Sequence, residues 1–351
     1  MSSLRHLHLD SSKRQPLLKD HTQVGDEPLS LPVKKVHTHP CISGGDEDAS
    51  VYFIGTATTV IEWQGMRILT DPNFLHAGDH IHLGPGVTAE RLTNPALALH
   101  ELPSLDCILL SHYHADHFDQ KVEASLNRLF PIITTPHAKK CLTSLKDEPF
   151  ERVTELDFFE SVMLHTGSGP VPGTDVKLVV RVTGTPGKHV PPGALAAANE
   201  FLQAVPPVNG WLVELGYAHD MATGADPETI KTGYRIYISG DTLFVDELQE
   251  IKRKLTDEKI DLMLIHLGGT TIPGPKMPLV MVTMDAEQGL KLMHLMDPDV
   301  TIPIHYDDYS VFLSPLSDFK NKVDEDGWHD RVVYLDRGEQ YRFQVRAAEE
   351  A

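Results

Sequence analysis

One cluster of metal-binding side chains, placed directly after a short apolar run, constrains this sequence more than any other feature. The run is Cys-Ile-Leu-Leu at 107–110, and its length and flanking polar residues predict a buried strand. His112 and His114 would point the same way from an extended backbone, while Asp116 and His117 would turn back toward a neighbouring centre. Crowded polar groups beside a buried strand are costly without a cation, so the cluster predicts two bound metal ions.

Residues of the same types end further predicted strands. These strands cover residues 66–70, 176–182, 234–239, 261–265 and 300–304. The side chains that follow them are Asp71, His189, Asp241, His266 and His305. Aspartates also form turns and cap helices, which is the alternative for Asp71 and Asp241.

The remaining pattern predicts an α/β fold. Two strands precede the one that ends at Asp71, and strands and helices then alternate. Two strands, at 331–335 and 340–345, close the chain. Residues 74–94 form a connection long enough to border a site, and its histidines, His76, His80 and His82, are interpreted as surface or packing residues.

The first part of the chain differs in composition from the rest. Residues 1–46 show neither helical nor strand periodicity and predict a flexible N-terminal tail. Residues 47–351 then form the folded domain. Within it, residues 190–209 make an apolar, proline- and alanine-rich insertion directly after His189, and this insertion is the predicted substrate wall.

Charge and cysteine content exclude several classes of protein. The chain has 31 basic against 50 acidic residues, a net charge of −19, which argues against a nucleic-acid partner. Three cysteines without paired spacing (Cys41, Cys107 and Cys141) indicate no disulfide framework. Without a signal-peptide core or a membrane-length apolar run, the expectation is a soluble cytoplasmic protein with no stable membrane insertion; a homo-oligomer is left open.

Taken in order, these motifs resemble those of the metallo-β-lactamase superfamily, and the resemblance covers about residues 50–345. Segments 55–58, 69–72 and 304–306 look most like the branch that holds ascorbate-6-phosphate lactonase and N-acylphosphatidylethanolamine phospholipase. The resemblance implies an αββα sandwich, two mixed β-sheets flanked by helices. It also implies that His112, His114 and His189 hold one metal, that Asp116, His117 and His305 hold the other, and that Asp241 bridges them. Asp71 would position ligand histidines by hydrogen bonding.

Five imidazoles and two carboxylates suit two divalent metal ions, with Zn²⁺ favoured and Mn²⁺ or Fe²⁺ as alternatives. Two metals that share a water lower its pKa toward neutrality, which supplies a hydroxide nucleophile, and Asp116 or a metal-bound water would handle the proton. Tyr306 and His266 are candidate donors to the developing oxyanion, although strand alternation would turn Tyr306 away from the metals. Lys188 is the candidate cation for a substrate carboxylate or phosphate.

The resulting hypothesis is a hydrolase that opens a small, partly apolar lactone or lactam. The first alternative is a metal-dependent phosphodiesterase or phospholipase, with a transfer-RNA-processing nuclease as a weaker variant because of the negative charge. The second is a metal-holding scaffold without catalysis. The complete set of ligand residues argues against a scaffold.

Overall fold

The computed structural model describes most of the chain. The described residues are 4–20, 29–42, 44–84, 87–167, 176–202, 205–219, 230–256, 258–274 and 277–347. In these segments the strands are, in chain order, β1 (Arg5–Leu9), β2 (Lys35–His37), β3 (Ala49–Gly55), β4 (Thr58–Trp63), β5 (Met66–Thr70), β6 (His80–His82), β7 (Thr88–Glu90), β8 (Cys107–Leu109), β9 (Ile132–Thr134), β10 (Val153–Glu155), β11 (Ser161–Thr166), β12 (Val176–Pro186), β13 (Asn209–His219), β14 (Lys231–Ile238), β15 (Leu262–His266), β16 (Thr271–Gly274), β17 (Met277–Met281), β18 (Val300–Ile304) and β19 (Glu339–Phe343). The helices are α1 (Gln120–Ser125), α2 (Pro136–Thr143), α3 (Ala194–Leu202), α4 (Leu248–Leu255), α5 (Ala286–Met296) and α6 (Leu316–Asp326).

Two large mixed sheets carry the fold. One has the strand order β10-β9-β8-β5-β4-β3-β19-β2, and the other has the order β1-β11-β12-β13-β14-β15-β18. The hairpin between β4 and β5 turns through Gln64 and Gly65, whose φ angles are +49° and +81°. Positive φ at both central residues is the two-residue turn that fits the twist of paired strands.

The sheets pack face to face, and helices cover their outer sides. The inner faces contribute the residues of the largest core cluster, among them Val51, Ile61, Ile68, Leu109, Val180, Val213, Ile236 and Ile302. Helices α1 and α2 pack on the outer face of the eight-stranded sheet, and α4, α5 and α6 pack on that of the other. The predicted αββα sandwich is therefore confirmed.

Strand β8, which precedes the histidine cluster, is uniformly apolar because both of its faces are buried. Leu109 of β8 faces the core between the sheets, while Ile108 and Leu110 face the helices on the outer side. A strand buried on both faces has no polar side, so its sequence reads as a continuous apolar run.

Strand direction brings the polar strand ends to one edge of the sandwich. In the first sheet β5 and β8 run parallel; in the second β14, β15 and β18 run parallel. β12 has the same direction as β14, since β13 is antiparallel to both. The carboxyl ends of these strands carry the predicted site residues.

Part of the predicted N-terminal tail is folded, which corrects that prediction for the described residues. β1 pairs with β11 at the edge of the seven-stranded sheet, and β2 pairs with β19. Leu17 and Leu31 are also buried. The partner strands lie more than a hundred residues away in sequence, so local composition concealed the alternation of apolar residues in β1.

The strand predicted at residues 331–335 is also wrong. Residues 329–331 form a short 3-10 turn, and Val332 makes a single isolated bridge to Thr301. Val333 and Leu335 are nonetheless buried in the core between the sheets. The apolar residues of this segment are buried, as their sequence indicates, but burial alone does not distinguish a strand from an irregular segment.

The long connection after Asp71 contains a two-stranded ribbon of β6 and β7. His76, His80 and His82 are exposed, in keeping with their interpretation from the sequence. No helix among the described residues is long and apolar enough to cross a membrane.

Candidate metal centre

The seven residues proposed as metal ligands lie together at this edge. They fall into two groups, and within each group the candidate ligand atoms lie within 4.8 Å of one another. One group holds His112, His114 and His189, and the other holds Asp116, His117, Asp241 and His305. We call these the three-histidine group and the Asp116 group. The family resemblance implies the same grouping, with Asp241 as the bridge between the two groups; that these residues bind metal stays a prediction.

Asp241 lies between the two groups. Its Oδ2 atom is 3.2 Å from His117 Nε2 and 3.5 Å from His305 Nε2, both in the Asp116 group. The same oxygen is 4.0 Å from His189 Nε2 of the three-histidine group. This position suits a carboxylate that bridges two cations.

Each ligand imidazole has one ring nitrogen near a protein oxygen, which leaves the other nitrogen free to face the centre. The nearby oxygens are Ser111 Oγ for His112 (2.9 Å), Leu83 O for His114 (3.3 Å), Asp71 Oδ2 for His117 (3.3 Å), Val282 O for His189 and Leu267 O for His305 (2.9 Å). Such contacts fix the tautomer and the ring orientation before any metal binds.

Unpaired buried atoms supply the test of whether this site fits cations. The ring nitrogens His112 Nε2, His114 Nδ1, His117 Nε2 and His305 Nε2 are buried without a hydrogen-bond partner, and so is Asp116 Oδ1. A buried polar atom without a partner costs about 1–3 kcal/mol, so several in one place call for a ligand. Divalent metal ions bound by these donors would satisfy all of them.

The electrostatics of the site favour positive charge. Burial raises the pKa of Asp116, but His117 and His114 outweigh it and hold that pKa well below its usual value. Burial also raises the pKa of Asp241, and His305 and His117 again outweigh it. Both side chains are therefore carboxylates at neutral pH, the form that binds a metal.

Backbone conformation delivers two of the carboxylates. Asp71 adopts a left-handed φ of +35°, and its Oδ1 accepts a 2.7 Å hydrogen bond from the Ser111 amide. Gly240, with φ of +62°, precedes Asp241, and a Cβ atom at Gly240 would lie 2.4 Å from the Asn209 carbonyl oxygen. Glycine is thus the residue that allows the turn into Asp241.

His266 lies at the centre, in a role that differs from the predicted one. Burial lowers its pKa, so the ring is neutral, and its Nδ1 lies 3.0 Å from Asp241 Oδ1. A carboxylate only accepts hydrogen bonds, so the single N–H of the neutral ring points to Asp241. The buried Nε2 then carries a lone pair, and the oxyanion donor expected from the sequence is not available in this arrangement.

Tyr306 does not face the centre either, which corrects its prediction as a catalytic and substrate-binding residue. Its hydroxyl donates a 3.0 Å hydrogen bond to the Leu335 carbonyl oxygen, and its ring packs in the core between the sheets. The residue before it, His305, has a φ of +60° and points the other way into the site. Alternation along the backbone separates the two side chains.

An apolar cavity of about 370 Å³ adjoins the three-histidine group. His189 forms part of its wall, together with Val190, Ala196 and residues 205–208 from the insertion. Lys188 also lines the cavity, but its ammonium forms an ion pair with Glu247. The sequence-predicted substrate cation is therefore engaged by a neighbouring carboxylate.

Sequence reasoning missed one polar residue of this cavity, His137. It follows β9, which runs parallel to β8, and so it reaches the same edge as the histidine cluster. Its Nδ1 is buried without a hydrogen-bond partner. The rule used for the other residues, a polar side chain after a parallel strand, would have identified it.

A family model, the Beta-lactamase superfamily domain, matches residues 66–306. The chain belongs to the metallo-β-lactamase superfamily. A metal-dependent hydrolase of Archaeoglobus fulgidus is 25% identical over 293 residues, which cover 84% of this chain and 98% of the relative. This superfamily member is therefore a metal-dependent hydrolase.

Two further similarities help to place this metallo-β-lactamase-fold chain. The mitochondrial N-acyl-phosphatidylethanolamine-hydrolyzing phospholipase D of Saccharomyces cerevisiae is 26% identical over 151 residues, 43% of this chain and 29% of the relative. Among solved structures, the isothiocyanate hydrolase from Delia radicum gut bacteria aligns with a TM-score of 0.61 at 17% identity, over 84% of this chain and 99% of that one. At that identity the structural likeness shows the fold alone.

Proposed function

We propose that the protein is a dinuclear metal hydrolase that opens a small, partly apolar cyclic ester or amide, a lactone or a lactam. The observation that carries the proposal is the shared position of His189, which belongs to the three-histidine group and also lines the apolar cavity. A substrate whose apolar part fills this cavity would present its carbonyl group to the metal centre. Small-molecule sites are mostly apolar with a few convergent polar groups, as here.

The metal ions and the side chains around them would have separate roles in the reaction. When bound, two divalent cations, with Zn²⁺ favoured, supply Lewis acidity and an ionised water at neutral pH. Asp241 fixes the spacing between the two groups, and His266 holds the Asp241 carboxylate in place. Asp116, which is ionised, would hold a metal ion through one carboxylate oxygen and accept a proton through the other, passing it to the leaving group.

The charge of the cavity supports an uncharged substrate. Among the described residues that line it, Lys188 is the one permanent cation, and Glu247 neutralises it. Apolar side chains from the insertion supply most of the remaining wall. A neutral ring ester or amide suits this surface better than an anion does.

The second candidate is a phosphodiesterase or phospholipase that uses the same metals at phosphorus. Its support is the similarity to the yeast phospholipase and the presence of Lys188, whose ammonium would bind a phosphate if it exchanged partners with Glu247. The exchange is open to both side chains, since each is about 40% exposed.

A matched pair of substrates distinguishes the two candidates. We expect the zinc- or manganese-loaded protein to hydrolyse an aromatic lactone or lactam faster than a nitrophenyl phosphodiester, because the cavity offers apolar contacts and no unpaired cation. Initial rates over a range of substrate concentrations give kcat/KM for each. Faster cleavage of the phosphodiester would reject the lactone or lactam proposal.

Lys188→Ala serves as the control for that comparison. It should leave ring opening within about fivefold, since a surface ion pair contributes only about 0–1 kcal/mol. A large loss confined to the phosphodiester would instead identify Lys188 as a phosphate-binding residue.

A further inference from the structure

A buried charged network lies beside the metal centre, and neither the ligand set nor the cavity accounts for it. The guanidinium of Arg91 and the carboxylate of Asp308 are both fully buried, with Arg91 Nη2 3.6 Å from Asp308 Oδ1. Arg91 Nε donates a 3.0 Å hydrogen bond to the Thr93 carbonyl oxygen, and its carbon Cζ lies 5.1 Å from the centre of the Tyr309 ring. Asp308 also pairs with Arg337 Nη2. Replacing a buried ion pair or triad by apolar residues is often neutral or stabilising, so stability alone does not explain the presence of this network.

One connection from this network reaches His305. Arg91 Nη1 donates to Thr56 Oγ1, and the Thr56 amide donates a 2.6 Å hydrogen bond to Asp308 Oδ2. The Thr56 carbonyl oxygen in turn accepts a 2.7 Å hydrogen bond from the His305 amide. Thr56 and His305 both have left-handed backbones, with φ of +51° and +60°, so these contacts hold a strained conformation in place.

A second connection reaches Asp116. Arg91 Nη1 donates a 3.4 Å hydrogen bond to Asn73 Oδ1. Asn73 Nδ2 donates a 2.9 Å hydrogen bond to the Asp116 carbonyl oxygen and a 2.7 Å bond to the Tyr309 hydroxyl. The amide of Asn73 is thus oriented at both ends.

Both connections lead to the Asp116 group. The outer ring nitrogens of the three-histidine group contact different protein oxygens, Ser111 Oγ, Leu83 O and Val282 O, while the inward Nδ1 of His114 lies 3.2 Å from Asp116 Oδ1. Contacts that orient metal ligands change metal affinity by about 10–100-fold when they are removed. The network should therefore act on one metal and not on the other.

We propose that Arg91 and Asp308 are positioning residues that set the affinity of the Asp116 group for its metal ion. The inference rests on the proposed dinuclear function. It assigns a role to the connection after Asp71, whose ribbon ends directly before Arg91. It also predicts two metal sites that respond differently to one substitution.

The test is a Zn²⁺ titration of metal-free protein against a competing chelating indicator, in two backgrounds. His114→Ala leaves the Asp116 group as the intact site, and His117→Ala leaves the three-histidine group. Adding Arg91→Lys, which keeps the charge but loses the planar fork, should weaken Zn²⁺ binding about 10–100-fold in the first background. In the second background Zn²⁺ affinity should change less than about twofold, within the ordinary effect of a distant substitution.

Two further variants distinguish a selective loss of Zn²⁺ affinity from a general loss of structure. Arg235→Lys is the matched control, since Arg235 is also buried in an ion pair, 3.0 Å from Glu214, and it should leave both affinities unchanged. Asn73→Ser removes the donor to Asp116 while keeping Arg91, and it should reproduce the selective loss if Arg91→Lys fails to fold.

Equal weakening in both backgrounds, or no change in either, would overturn the inference while leaving the dinuclear function intact. Wild-type protein that binds only one Zn²⁺ per chain would contradict the dinuclear centre itself, and the inference with it.

Discussion

Asp241→Asn should abolish most of the activity while the fold survives. Asp241 Oδ2 is within 4.0 Å of ligand nitrogens from both groups, so the substitution weakens both metals at once. Changing a residue that only orients a ligand costs about 10–100-fold, and we expect a greater loss of kcat/KM for a residue in direct contact with both sites. The measurement is kcat/KM on the faster substrate of the matched pair, together with metal content by elemental analysis.

The matched control is Asp246→Asn. Asp246 lies five positions later in the same segment, and its side chain is exposed. It should keep wild-type kcat/KM and metal content. If Asp241→Asn kept both metals and full turnover, the bridging role of Asp241 would be wrong.

His112→Ala should remove one metal ion and lower the rate by more than about 100-fold, because a direct ligand matters more than the contacts that orient it. His112 is fully buried, and its unpaired Nε2 faces the three-histidine group. Burial, followed by the charge of His117, holds the pKa of His112 well below its usual value, so the neutral ring binds metal without first losing a proton. Metal content per chain and kcat/KM are the two measurements.

His80→Ala is the control for that experiment. His80 lies in β6 and is exposed, and the sequence already indicates a surface histidine rather than a ligand. Both metals and the full rate should remain. Retention of two metals by His112→Ala would remove His112 from the ligand set.

The clustering of the candidate ligands was predictable because these residues obey a simple rule of strand ends. Each residue follows an apolar segment, and the carboxyl ends of parallel strands meet at one edge. Chemistry then restricts the residue types to those that bind divalent metals. The rule needs no knowledge of distant contacts. It therefore places Asp71 and Asp241 near the candidate metal centre, as the structure does.

Features that depend on distant partners were not predictable in the same way. β1 becomes a strand only because β11 offers an edge, and Lys188 loses its free charge only because Glu247 lies nearby. Arg91 stands in a connection with no motif, and its buried network is assembled from segments more than two hundred residues apart, such as Thr93 and Asp308. The local sequence shows which polar and charged side chains are present, whereas tertiary packing determines which partners they contact.

Metal dependence of turnover decides whether this protein is a dinuclear metal hydrolase. The protein is stripped with a chelator, dialysed and titrated with Zn²⁺, while bound metal and hydrolysis of the faster substrate are measured on the same samples. We expect no turnover in the metal-free protein and full recovery at two Zn²⁺ ions per chain, because both candidate ligand groups and the bridging Asp241 must be occupied. Undiminished hydrolysis after complete metal removal would contradict it.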